Sequence, residues 1–145
     1  MISTTIALNI FSLEGDGFHP KLEISINGRR ETAILDTGAS KTAFDMQLLS
    51  QLLSQEEFPA AERLSTGLGT NSMQCFTAVI AELKVGDFCI PDFEVAVLDL
   101  SHINQAYQKL GLEQVLGVIG SDLLHEYKAL IDYESQTLTL RKTEF

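Results

Sequence analysis

The sequence is poor in proline, cysteine and basic residues, and each shortage argues against certain classes of protein. Only 3 prolines among 145 residues, with 45% hydrophobic residues, argue for a globular protein rather than a disordered one. Lysine and arginine number 10 against 20 acidic residues, which gives a net charge of −10. Nucleic acids and anionic membrane surfaces would repel such a chain, so neither is an expected partner. No apolar run approaches the roughly 20 residues that span a bilayer.

Cysteine is scarce as well, since Cys75 and Cys89 are the only two. A hairpin turn at residues 86–87 would bring Cys89 opposite Lys84 rather than Cys75, so we expect no disulfide. Two free thiols favour a reducing, cytoplasmic location. Residues 1–12 are apolar and alternating but have no basic start and no small-residue cleavage site, so we predict a strand there rather than a signal peptide.

The hydrophobic pattern predicts many strands and few helices within one domain, residues 1–145. Residues 45–55 form the clearest helix, because Asp45 is a good N-cap and leucines make one apolar stripe. A second short helix is predicted over residues 101–110. The chain shows no repeat, linker or low-complexity segment. The expected fold is all-β, a single partly closed β-barrel with two or three short helices.

The segment Ile-Leu-Asp-Thr-Gly-Ala-Ser at residues 34–40 is the most informative in the chain. It places a carboxylate, Asp36, at the exit of an apolar strand. A short motif is a hypothesis until its context supports it. Upstream, residues 21–27 alternate apolar and polar side chains and turn at Asn27-Gly28, a strong hairpin signal. We therefore predict that Asp36 lies where a strand ends and the chain turns sharply.

Asp-Thr-Gly followed by Ala-Ser resembles the retropepsin branch of the aspartic proteases. In retropepsin-like domains, an apolar-apolar-Gly segment and a short helix lie beside the catalytic loop. Val118, Ile119 and Gly120 are similar to that segment, and residues 121–126 are similar to the helix. The strands that close the fold are then predicted at residues 127–133 and 137–140. The resemblance covers nearly the whole chain, from about residue 22 to residue 140.

The resemblance implies a peptide- or protein-cleaving enzyme that works as a homodimer, because such enzymes need two aspartates and this chain has one Asp-Thr-Gly. Asp36 would be the catalytic residue, and Thr37 would hold the opposite loop across the dimer. Gly38 would let the backbone approach the two aspartates and supply an N–H. Ala39 replaces the hydroxyl of pepsin-like enzymes, which predicts an activity optimum nearer neutral than that of pepsin. Ser40 would cap the chain locally.

The resemblance also implies a hairpin flap over the substrate. Gly67, Leu68, Gly69 and Thr70 are the best candidates, since glycines permit both the turn and the hinge motion of a lid. An ordinary surface hairpin is the alternative. As a phosphate-binding loop the segment is weak, because it has one Gly-x-Gly, no lysine and no clear following helix.

Other chemistry-bearing residues give weaker signals. His19, His102 and His125 are scattered, with no partner at metal-ligand spacing, so neither a metal nor a cofactor is expected. Asp122 is predicted to favour the N-terminus of the helix at residues 121–126 by its charge, rather than to serve as a second catalytic carboxylate. Asp16-Gly17 lacks the hydroxyl and the preceding apolar strand that a second aspartate would need.

Two further functions stay open. A domain of the same fold that does not cut could bind a peptide or act as a scaffold, although such a domain has no need of the Asp36 carboxylate. A small β-barrel binding protein with an accidental motif is the other alternative, and Val118, Ile119 and Gly120 argue against it.

Overall fold

The computed structural model describes residues 1–12, 15, 17–61 and 75–143. Ten strands and three helices lie in these residues. They are β1 Ile2–Ala7, β2 Asn9–Ser12, β3 Phe18–Ile26, β4 Arg29–Leu35, β5 Ala43–Asp45, α1 Met46–Leu53, β6 Phe76–Val85, β7 Phe88–Leu98, α2 Ser101–Lys109, β8 Gly117–Ile119, α3 Ser121–Glu126, β9 Leu130–Asp132 and β10 Thr137–Lys142. None of these helices is long and apolar enough to cross a membrane.

The strands form two sheets. The larger has the order β2-β3-β4-β8-β5-β7-β6, and β3 also pairs with β6. That extra pairing closes six strands into a barrel and leaves β2 outside it. The smaller sheet has the order β1-β10-β9 and is antiparallel throughout. The prediction of an all-β barrel with few short helices is confirmed.

The hairpin of β3 and β4 follows from its local sequence. Leu22, Ile24 and Ile26 alternate along β3 and are all buried in the barrel core. Asn27 and Gly28 form the turn with φ angles of 48° and 86°. Asparagine and glycine tolerate this left-handed backbone better than other residues, which is why the pair favours a tight hairpin.

Helix α1 begins where the sequence predicts. The Asp45 carboxylate accepts a hydrogen bond from the Leu48 N–H at 3.1 Å, which is the expected N-cap contact. Its second oxygen accepts one from the Leu100 N–H at 2.8 Å. Asp45 is therefore a buried link between α1 and the segment that leads into α2, beyond its role as a cap.

The structure corrects two predicted strands. Residues 1–12 are not one strand, because β1 and β2 belong to different sheets and separate at Leu8. The buried Leu8 side chain joins the barrel core, and its N–H donates to the Gln136 carbonyl at 2.8 Å. The strand predicted at 127–133 begins only at Leu130, because Lys128 has a φ of 48° and the chain turns there after α3.

The predicted position of Cys89 is confirmed. Cys89 lies opposite Lys84 in the hairpin of β6 and β7, and both cysteines are free. Cys75 is buried and Cys89 is exposed.

Candidate active site

The loop that follows β4 carries Asp36. Its N–H donates to the Ile119 carbonyl at 3.0 Å and continues the parallel pairing of β4 with β8. Its carbonyl accepts from the Ala39 N–H at 3.2 Å, which closes a tight turn. The Asp36 side chain is exposed, and one carboxylate oxygen accepts the Gly38 N–H at 3.0 Å. This strand-end position agrees with the geometry predicted from the motif.

The remaining residues of the loop differ in exposure. Thr37, Gly38 and Ser40 are exposed, while Ala39 is buried. A Cβ added at Gly38 would lie 3.3 Å from the Asp36 carboxylate oxygen. Glycine therefore allows the close approach of the backbone N–H to Asp36.

The segment Val118, Ile119 and Gly120 lies directly beside this loop. Strand β8 is inserted between β4 and β5, parallel to the first and antiparallel to the second. The Ser121 N–H, at the start of α3, donates to the Ala39 carbonyl at 2.8 Å. The segment therefore supports the loop along the main chain.

A second set of bonds fixes the end of the loop, and the sequence did not reveal it. Thr42 is fully buried, and its hydroxyl accepts from the Gly120 N–H at 3.1 Å. The same hydroxyl and the Thr42 N–H donate to one Asp122 oxygen at 2.8 and 3.0 Å. That oxygen also accepts the Leu123 N–H. These contacts, here called the Thr42 network, tie the Asp36 loop to α3. Asp122 thus acts as a positioning residue as well as an acidic group in the first turn of a helix.

Replacing Asp122 by alanine is expected to lower the free energy of unfolding by about 2 to 3 kcal/mol, because the buried Thr42 N–H and hydroxyl lose their acceptor. Asp122→Asn retains an oxygen acceptor and should lose less. Denaturant unfolding at neutral pH measures both. The exposed Asp87→Ala is the control, and an Asp122→Ala variant as stable as that control would contradict the network's role.

Asp36 lines two cavities. The first, here called the α2 cavity, has a volume of about 360 Å³ and is walled by Ile34, Leu100, Ile103, Ala106, Tyr107 and Val118. The second, here called the β9 cavity, has a volume of about 500 Å³, and Phe18, Leu35, Thr37, Ile131 and Tyr133 line it. Asp36 lines both cavities, so a ligand in either would lie beside this residue.

The same cavities contain residues that sequence reasoning missed. His19 lines both of them, and His102 lines the α2 cavity. These two histidines are 83 positions apart in the sequence, and no sequence motif around either one indicates a place near Asp36. Within the described part of the chain, no cluster of three or more His, Cys, Asp or Glu side chains could hold a metal ion.

The predicted flap cannot be placed beside these residues. Gly67, Leu68, Gly69 and Thr70 lie outside the described residues, so the flap stays a prediction from the sequence.

Comparison with known proteins identifies the family. A model of the aspartyl protease family matches residues 22–123, which is more than half of the chain and includes the Asp36 loop and β8. The chain belongs to the aspartyl protease family. A search of curated proteins finds no match.

Solved structures show which folds this aspartyl protease chain is similar to. A retropepsin-like aspartic protease from Rickettsia conorii has a TM-score of 0.62 and 19% identity, over 96% of this chain and 89% of that chain. The retroviral protease-like domain of Ddi1 from Leishmania major gives 0.58 and 17%, over 85% of this chain and 88% of that chain. EIAV protease, complexed with the inhibitor HBY-793, gives 0.56 and 16%, over 84% of this chain and 99% of that chain. The aspartyl protease chain therefore has a retropepsin-like fold.

Proposed function

We propose that the chain is an aspartic endopeptidase that hydrolyses peptide bonds as a homodimer, with one Asp36 from each copy. The observation that carries the proposal is the exposed Asp36 at the end of β4, whose carboxylate accepts the Gly38 N–H and which lines two cavities. Membership of the aspartyl protease family and the retropepsin-like fold support it.

The proposed reaction needs only water and two carboxylates. Two facing Asp36 side chains share one proton, because two carboxyl groups so near each other cannot both ionise without strong repulsion between their negative charges. The ionised carboxylate takes a proton from water as the water oxygen attacks the peptide carbonyl. The protonated carboxylate hydrogen-bonds the carbonyl oxygen and later helps to protonate the leaving amine. The C–N bond breaks, and an acid and an amine leave.

The β9 cavity is the proposed dimer face. Phe18 and Tyr133 line it and remain 69% and 60% exposed, which is unusual for large apolar rings. Strand β9 pairs with β10 on one side, and no described strand pairs with its other edge. Thr37, which the resemblance assigns to the dimer contact, lines the same cavity. A two-fold axis at this face would bring the two Asp36 side chains together.

Cleavage of a mixed peptide library, followed by mass spectrometry, tests the proposal. The wild type should release products at acid to neutral pH, and a statine-type inhibitor should block them. Activity per chain should rise with protein concentration, as an obligate dimer requires. Salt should strengthen the dimer, because each copy has a net charge of −10 and salt screens the repulsion between the copies.

The Tyr133→Asp variant should raise the dimer Kd by at least about a hundredfold, since two unpaired carboxylates would enter the interface.

Val79→Asp is the matched control for the dimer face, because it adds the same charge at another exposed apolar position, in β6. It should leave the dimer Kd, measured by sedimentation, within about threefold of the wild type. Equal dimerisation of Tyr133→Asp and Val79→Asp would contradict this dimer face. Persistent cleavage by monomers would contradict the two-aspartate mechanism. No cleavage by the wild type at any pH or salt concentration would favour a non-cutting, peptide-binding domain.

A further inference from the structure

Tyr107 is the one tyrosine that lines the α2 cavity. Its side chain is 6% exposed and packs with Ile34 and Val115, residues of β4 and of the segment before β8. Its ring contacts Phe11 edge to face, with centroids 6.0 Å apart and an interplanar angle of 84°. These contacts hold the ring on several sides, so Tyr107 is a fixed part of the cavity wall.

The Tyr107 hydroxyl has no hydrogen-bond partner among the residues that the structure describes. Among the described residues, Arg141 Nε is the only fully buried polar side-chain atom without a partner, so water reaches the Tyr107 hydroxyl. Burial raises the pKa of Tyr107, which keeps the phenol protonated and able to donate as well as accept. Because the side chain lines the α2 cavity, an occupant of that cavity can supply the missing partner.

The other cavity residues limit what that occupant can be. Leu100, Ile103 and Ala106 form an apolar wall on the α2 side, which favours an apolar body and disfavours a charged group. The volume of about 360 Å³ lies within the roughly 300 to 1,000 Å³ of small-molecule sites and can hold a large side chain. Asp36 lines the same cavity, so the occupant would lie against the reacting group.

We propose that the α2 cavity receives a tyrosine side chain of the substrate beside the scissile bond, and that Tyr107 selects it by pairing with its hydroxyl. The inference rests on the proposed endopeptidase function and names its substrate preference. Tyrosine combines a flat apolar ring, which suits the cavity walls, with one neutral polar end. Phenylalanine fits the same space and displaces water from the Tyr107 hydroxyl without replacing its hydrogen bond, and this loss favours a tyrosine peptide over a phenylalanine peptide.

Binding of two matched peptides tests the inference without requiring cleavage. The peptides differ only in tyrosine or phenylalanine at the position beside the bond, and Asp36→Asn holds them uncut for calorimetry. We expect the tyrosine peptide to bind about ten- to a hundredfold more tightly. Adding Tyr107→Phe should reduce the ratio to about twofold or less, mainly by weakening the tyrosine peptide.

Tyr127→Phe is the control, because Tyr127 packs on Phe88 in the barrel core and does not line the α2 cavity. It should leave the ratio unchanged. Equal binding of the two peptides, binding of neither, or a ratio that survives Tyr107→Phe would overturn the inference. Cleavage by the wild type is measured separately with the same peptides. Cleavage without discrimination refutes the tyrosine preference alone, whereas selective binding without cleavage refutes the endopeptidase function alone.

Discussion

Asp36→Asn is expected to reduce kcat for peptide cleavage by at least about a thousandfold, because asparagine can neither accept the proton of the attacking water nor share one with its partner. The fold should survive the change. An asparagine oxygen can still accept the Gly38 N–H that the carboxylate now accepts at 3.0 Å. We would measure kcat with the best library peptide and the melting temperature of the same samples. Asp92→Asn makes the same chemical change at an exposed site in β7 and should retain full activity.

A tandem dimer, two copies joined by a linker, separates a shared pair of aspartates from two independent sites. With one copy carrying Asp36→Asn, a shared pair predicts a loss as large as that of the double variant. Two independent sites predict about half of the wild-type activity. Retention of half the activity would contradict the dimer mechanism even if the single-chain Asp36→Asn variant were inactive.

The turns and helix ends that the sequence predicted correctly depend on residues close together in the chain. The Asn27-Gly28 turn and the Asp45 cap each depend on neighbours within a few positions, and both are present in the structure. The α3 helix, which the family resemblance implied, is present as well. The helix predicted at 101–110 agrees with α2 within one residue. Backbone preference and side-chain capping act over this short range, so a single sequence contains the information.

The features that the sequence did not predict depend on contacts between residues that are far apart in the chain. Residues 1–12 alternate like one strand, yet the two halves join different sheets because the buried Leu8 turns into the core. The Thr42 network depends on strand β8 entering between β4 and β5, which brings α3 to the end of the Asp36 loop. No spacing rule predicts a contact between Thr42 and Asp122, which are 80 positions apart.

The α2 cavity also depends on contacts between distant segments, which the sequence alone did not predict. The sequence predicted Asp36 because a family motif surrounds it, and it predicted α2 as a short helix that Gly111 ends. Neither the motif nor the helix prediction indicates that residues of α2, Tyr107 among them, line the same cavity as Asp36. A motif identifies the reacting group, whereas the residues that select a substrate come from distant segments and become visible only in three dimensions.

Gly120→Ala is the second change for which we expect a large effect, and its cause is steric. Gly120 has a φ of −99° and an extended backbone, which any residue can adopt. A Cβ there would lie 2.7 Å from the Lys41 carbonyl carbon and 2.9 Å from the Ala39 carbonyl oxygen. Both are backbone atoms of the Asp36 loop, so the loop itself would have to move. We expect a loss of about 3 kcal/mol or more in the free energy of unfolding.

Cleavage should fall together with stability in this variant, because the displaced loop carries the reacting carboxylate. A shift of about 1 Å at a catalytic group can cost roughly a hundredfold in rate, and we expect a decrease in kcat of that order in the fraction that remains folded. Gly111→Ala is the control: it has a φ of 74° and open space around it, so it tests backbone strain alone, worth about 1 kcal/mol. If Gly120→Ala were no less stable than Gly111→Ala and cut at the wild-type rate, the close contact between β8 and the loop would not position Asp36. A larger loss in both measurements would show that glycine at position 120 is required by the distance between two backbones rather than by its conformational freedom.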